Sequence, residues 1–230
     1  MPGEIAWPSS ANGKATLAEI QAAMVGFPRL LRWDDFAMWD DADAERAGAE
    51  AQVSTNVKVK SWGLSLGGKF GNFIDNVKVV VTLDSLATRA TKAARTARTA
   101  PRLLNHEQGH FDIQALLARD VATKLLNFHI ESKTISGILQ NKSATNEDKS
   151  SRLHRIIEGQ IDIAKKKMNK LVSVLQDDEL GQEGIYDKDT EHGRNEDEQR
   201  NWDILIRYVK MTNVMFEDEL VRRGMLPKAL

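Results

Sequence analysis

The chain contains no cysteine, and among its 230 residues 32 Lys and Arg stand against 33 Asp and Glu. Without cysteine there is no disulfide framework and no thiolate-held zinc or iron–sulfur centre. A formal net charge of -1 gives no overall attraction to nucleic acid or to an anionic membrane. No run approaches the roughly 20 apolar residues of a membrane-spanning helix, so no span is expected. The stretch Met1 to Ser10 lacks a basic segment followed by a long apolar one. That reads against a secretory signal and for a cytoplasmic protein, with export that needs no cleaved signal as the other explanation. Internal repeats and low-complexity tracts are missing as well.

What is present is ordinary for a globular protein. Hydrophobic residues make up 41% and charged residues 28%, enough apolar surface for a real core. The length fits one large domain or two small ones. Any metal must be held by His, carboxylate, amide or backbone oxygen, and with five His each can be considered singly.

The first half of the chain is mixed in character. Residues 15–26 carry Leu17, Ile20, Met24 and Val25 at helical spacing. Leu30 to Phe36 is amphipathic, and residues 40–50 are acidic, Ala-rich and expected to be exposed. Gln52 to Trp62 and Ile74 to Leu83 read as strands from their β-branched residues. The Gly-rich piece Gly63 to Phe73 reads as the turn of a hairpin between them. From Pro101 the period becomes helical, with Leu103, Leu104, Phe111, Ile113, Leu116, Leu117, Val121, Leu125 and Phe128. A second long helix is predicted over 147–177, starting at the capping-competent Asn146-Glu147-Asp148. A polar loop over 178–195 then leads to a third helix from 196. Strands first and long helices afterwards give an α+β protein. The division expected is an N-terminal segment over 1–28, a main domain over 29–208 and a helical extension over 209–230.

The strongest local signal is His106-Glu107-Gln108-Gly109-His110. On a helix, residues four apart share a face, so both imidazoles can meet one ion. Imidazole suits zinc, and a third protein ligand would leave a position for water. Glu107, beside the first ligand, is the candidate general base. With five His in the chain, chance supplies on the order of 0.01 such pentads. Gly109 costs about 1 kcal/mol relative to Ala inside a helix, a cost that a close approach of metal, substrate or strand would explain. Gln108 is unusual where zinc-peptidase helices carry an apolar residue.

The third ligand must come from a distant position. His192 lies in a polar stretch directly before Gly193, free to fold over a helix-borne ion. Glu158 competes, with a Glu-x-x-x-Asp spacing to Asp162 on a later helix, and other groups remain open. His129 and His154 are left to ordinary structural duty.

These stretches resemble a family. Leu103-Leu104-x-His106-Glu107-Gln108-Gly109-His110-Phe111-Asp112-Ile113 is similar to the core motif of a bacterial domain-of-unknown-function family of predicted zinc-dependent, often secreted, proteases. Leu31 to Phe36, the strand before the helix, and Tyr186-Asp187-x-x-Thr190-x-His192-Gly193 followed by Gln199 and Trp202 also match its pattern, so that the likeness spans roughly residues 29–208. The resemblance implies His106 and His110 as ligands and Glu107 as base, and it favours His192 as third ligand. Thr190-x-His192 is also similar to the Thr-x-Asp of zinc proteases with an aspartate ligand. The chain departs from the family in lacking a signal sequence and in extending to Leu230.

The expectation is therefore a zincin-like α+β metallopeptidase, a hydrolase with one catalytic Zn2+ on His106, His110 and His192. Glu107 would act as base, Tyr186 would donate a hydrogen bond to the oxyanion, and the substrate would be a peptide or protein. The alternative is a vestigial or structural metal site in a partner- or nucleic-acid-binding module. Gly63-x-x-x-x-Gly68-Lys69 has phosphate-loop spacing but places Phe70 where the magnesium-binding hydroxyl belongs, and strand follows it. Arg89, Lys92, Arg95, Arg98 and Arg102 could form a helical stripe facing phosphates. With no aromatics interleaved to stack bases, they read better as a solvated connector, and no nucleic acid is expected. Trp33, Trp62 and Trp202 are expected as core or cleft anchors.

Overall fold

A computed structural model describes residues 14–47, 49–61, 63–65, 72–176 and 184–227. The protein is mixed α+β, with small sheets arranged beside long helices. In chain order the elements open with α1 (Leu17–Ala23), β1 (Met24–Val25), a 3-10 turn (Trp33–Asp35), β2 (Ala37–Met38) and α2 (Asp41–Ala47). There follow β3 (Ala51–Gln52), β4 (Thr55–Lys60), β5 (Gly63–Ser65), β6 (Asn72–Asp75), β7 (Lys78–Leu83), β8 (Arg89–Ala90) and α3 (Lys92–Thr96). The helical half is α4 (Ala100–Asn127), β9 (His129–Ile130), α5 (Ser132–Leu139), α6 (Asn146–Leu175), α7 (Ile185–Thr190), α8 (Glu196–Met211) and α9 (Phe216–Arg222).

Helix α4 is the axis of the molecule. Pro101 sits in its first turn, where a missing N–H costs nothing. Beyond the first three turns the helix is buried nearly all round, through Phe111, Ile113, Ala115, Leu116, Leu117, Ala118, Val121, Ala122 and Leu125. A helix buried on every side needs cover on every side, and α4 packs on α1, α6, α8, α9 and β7. Each fully buried Leu or Phe contributes about 1.5–3 kcal/mol. The first turns of α4, which carry the His pair, are thus anchored by a rigid helical stem.

The strands pair as three small sheets. β7 lies between β1, parallel to it, and β4, antiparallel with Thr55 opposite Leu83 and Lys60 opposite Lys78. The single strand expected over 74–83 is instead two. Asn76 takes a left-handed conformation, φ 51°, which Asn tolerates better than β-branched neighbours. The chain turns there, so β6 joins β5 and β9 while β7 joins the other sheet. Of the expected Gly63–Phe73 turn, both ends are strand and residues 66–71 lie outside the described residues, as does most of the phosphate-loop-like spacing.

Other differences have local causes. The second long helix is capped by Thr145, whose side chain accepts from Asp148 N–H in a reciprocal capping box, one residue before the expected Asn146. The predicted loop over 178–195 contains α7. The basic stretch 88–102 is a strand, a short helix and the start of α4, so its charges do not share one helix face. Arg95 donates to the Phe36 and Ala37 carbonyls, Arg89 stacks on Trp39, and Arg102 lies 3.7 Å from Glu196. Trp202 is buried and Trp33 packs at the core edge against Phe36, whereas Trp62 lies outside the described residues. Ala23 and Met24 near one end and Phe216, Leu220 and Leu226 near the other belong to one continuous core. No helix among the described residues is long and apolar enough to cross a membrane.

Candidate metal centre

His106 and His110 project from the same face of α4 as their spacing requires. Their Nε2 atoms are 3.1 Å apart. Asp187 Oδ1, from α7, lies 3.0 Å from each. The three atoms form a nearly equilateral triangle on buried or half-buried side chains. A tetrahedral ion with bonds of 2.0–2.1 Å needs ligand atoms about 3.3 Å apart, so the triangle is within a few tenths of an ångström of that requirement.

The donor chemistry fits a cation as well. Burial, the chief cause, lowers the proton affinity of His106 below that of a free imidazole, with the neighbouring His110 acting the same way against the pull of Asp187. Burial alone would raise Asp187, but the two imidazoles set against its Oδ1, His106 and His110, hold it well below the usual carboxylate range. Two imidazole nitrogens and a carboxylate oxygen, converging at hydrogen-bond distance in a buried site, are a Lewis-basic cluster that a divalent ion would neutralise.

The wall behind the triangle is built from aromatic contacts. The Tyr186 ring lies parallel to His106 at 4.9 Å and edge-on to His110 at 5.0 Å, with Trp202 closing its other side at 5.2 Å. Tyr186 is fully buried, and its hydroxyl donates to the His106 carbonyl at 3.1 Å beside Gln199. The oxyanion-donor role expected for Tyr186 therefore gives way to a positioning one, because its hydroxyl points into the wall and not toward an opening. Gly109 is explained by the same contact: its face is occupied by the Tyr186 hydroxyl.

Glu107 is buried, with the Val53 backbone N–H facing its carboxylate as a minor influence in favour of its ionised form. Burial pushes it up to about 7, against the opposing charge of His110 and with that of Asp187. A carboxyl near neutrality beside two imidazoles has the proton affinity of a general base. Gln108 has a separate task. Its Oε1 accepts from Leu31 N–H at 2.7 Å and its Nε2 donates to the Arg29 carbonyl at 3.1 Å, so this polar position clamps the segment before the 3-10 turn.

His192 is half exposed at the rim, its Nδ1 3.5 Å from Asp187 Oδ1. It stands past the end of α7 in a turn whose residues Glu191, His192 and Gly193 all have positive φ, at 49°, 54° and 78°. Gly193 is suited to that region, and a Cβ there would stand 3.0 Å from the His106 Cβ. Glu158, the rival third ligand, is remote in function: it is exposed on α6 and pairs with His154 at 3.0 Å. Asp187 is the group that reading the sequence missed. It lies between Tyr186 and Thr190, all three buried, on a helix of six residues that is too short to show a period in the sequence.

The chain matches no known family model, no curated protein and no solved structure.

Proposed function

We propose that the protein is a zinc-dependent peptidase of zincin-like architecture, with one ion held by His106, His110 and Asp187 and with His192 at the rim. The observation that carries this reading is the triangle of Nε2, Nε2 and Oδ1 atoms at 3.0–3.1 Å with the buried Glu107 next to it. A bound zinc would supply Lewis acidity toward a carbonyl and toward water. Glu107 takes the proton from the attacking water and delivers it to the leaving amine. Tyr186 and Gln199 hold His106 in place. The motif likeness to predicted zinc-dependent proteases supports the same reaction and a peptide or protein substrate.

The test is metal analysis and peptide digestion with wild type and Glu107→Gln. Both forms are expected to keep one zinc per chain. The variant is expected to lose hydrolysis by about 10²–10⁴-fold, the usual contribution of a general base. Wild type without stoichiometric metal, or hydrolysis unchanged in Glu107→Gln, overturns the proposal.

A further inference from the structure

We infer that Gln199 and Asp203 of α8 set the tautomer and the aim of His106, so that Asp203 governs metal affinity without touching a ligand atom. This rests on the metal reading above and adds Asp203 to it as a positioning residue.

His106 directs Nε2 at the triangle, and its Nδ1 faces the opposite way. Nδ1 has two neighbours, Thr190 Oγ1 at 3.3 Å and Gln199 Oε1 at 3.4 Å. The Thr190 hydroxyl spends its own proton on the Tyr186 carbonyl at 2.7 Å, so its oxygen meets Nδ1 as an acceptor. The Gln199 amide is buried, and in isolation it could present either end to the ring. Its orientation is decided by Asp203. A carboxylate only accepts, and Asp203 Oδ1 lies 3.0 Å from Gln199 Nε2. The second amide proton goes to the Tyr186 hydroxyl at 2.8 Å, and that hydroxyl donates onward to the His106 carbonyl. Gln199 Oε1 is left facing His106.

Both acceptors then require a proton on Nδ1, which leaves the Nε2 lone pair pointing at His110 Nε2 and Asp187 Oδ1. Asp203 is itself fixed, since its other oxygen accepts from Asn105 Nδ2 at 3.0 Å, on the residue before His106. The relay thus starts and ends on α4. Contacts of 3.3 and 3.4 Å are at the long end of hydrogen bonding. Two acceptors acting together with the Tyr186 stack hold the ring where one would not. Partners of this kind on a ligating His raise its basicity and fix its orientation.

The experiment measures zinc affinity by competition with a chromophoric chelator, together with the visible spectrum of the Co2+-loaded protein. It compares wild type, Gln199→Leu, Asp203→Asn, and the double variant Gln199→Glu/Asp203→Asn. Thermal unfolding of the metal-free forms reports folding. Gln199→Leu and Asp203→Asn are expected to weaken zinc binding about 10–100-fold and to shift the Co2+ bands. The double variant exchanges carboxylate and amide along the relay. It keeps an acceptor against Nδ1, so its affinity is expected to return to within about threefold of wild type. A merely structural role would show no such rescue. Single variants that bind zinc as wild type does, or a double variant no better than the singles, overturn the inference while leaving the metal reading in place. Wild type that binds neither ion overturns both.

Discussion

Gly109 and Tyr186 occupy one another's space: a Cβ on residue 109 would stand 1.9 Å from the Tyr186 hydroxyl and 2.5 Å from its Cζ. The ring has little room to withdraw, since His106, His110 and Trp202 surround it. Gly109→Ala is therefore expected to destabilise the protein despite the better helix propensity of Ala. Overpacking costs about 1–3 kcal/mol against a propensity gain of about 1 kcal/mol. Because α7 carries both Tyr186 and Asp187, the same change pushes Asp187 away from the imidazoles. Denaturant unfolding and zinc titration of Gly109→Ala should both fall below wild type. Tyr186→Phe in the Gly109→Ala background should recover only part of the loss, because Cζ stays too close. Gly109→Ala with wild-type stability and affinity would remove Tyr186 from the wall of the site.

The third-ligand question is settled by metal retention. His106→Ala, His110→Ala and Asp187→Ala each remove one corner of the triangle, and each is expected to reduce bound zinc from one per chain to a small fraction after dialysis. His192→Ala is expected to keep near-stoichiometric zinc, because its imidazole is half exposed at the rim. Glu158→Ala should be indistinguishable from wild type, since Glu158 pairs with His154 on an exposed face. Inductively coupled plasma analysis of the five variants checks this in one series. If His192→Ala loses zinc as completely as Asp187→Ala does, His192 belongs among the ligands.

How far these features could be seen in the sequence follows from what each depends on. Helix α4 was legible almost to the residue, because Pro101 and a long apolar repeat are local signals, and the His pair follows from helical spacing alone. The break at Asn76 was hidden because β-branched residues stand on both sides of Asp75-Asn76, and only the left-handed turn of one Asn separates two sheets. Asp187 was hidden for a different reason. Six residues make a helix too short to show a period, and packing of Tyr186 and Thr190, not local propensity, decides which way Asp187 points. The roles of Gln108 and Gln199 depend on partners 77 and 93 residues away, beyond the reach of any local pattern.

Asp120 gives the pH dependence a sign. It is buried on α4, and its two oxygens accept from the Phe216 and Glu217 N–H groups at 2.9 Å each, capping α9. Burial pushes it up to about 6 from an ordinary 3.8, against those N–H groups and the charges of Arg119 and Lys124. Between these values the unfolded chain has released the proton and the folded chain still holds it. The stability associated with the protonated form is thus fully present below about pH 4 and is lost as pH rises through about 6. A shift of two units corresponds to about 3 kcal/mol. Asp120→Asn cannot titrate, so it serves as the reference in which other groups cancel. Urea unfolding of the metal-free proteins at pH 4 and pH 6.5 should show wild type losing about 2–3 kcal/mol relative to Asp120→Asn over that interval. A constant difference between the two would mean that Asp120 is ionised throughout, and that the backbone N–H groups at the start of α9 outweigh the cost of its burial.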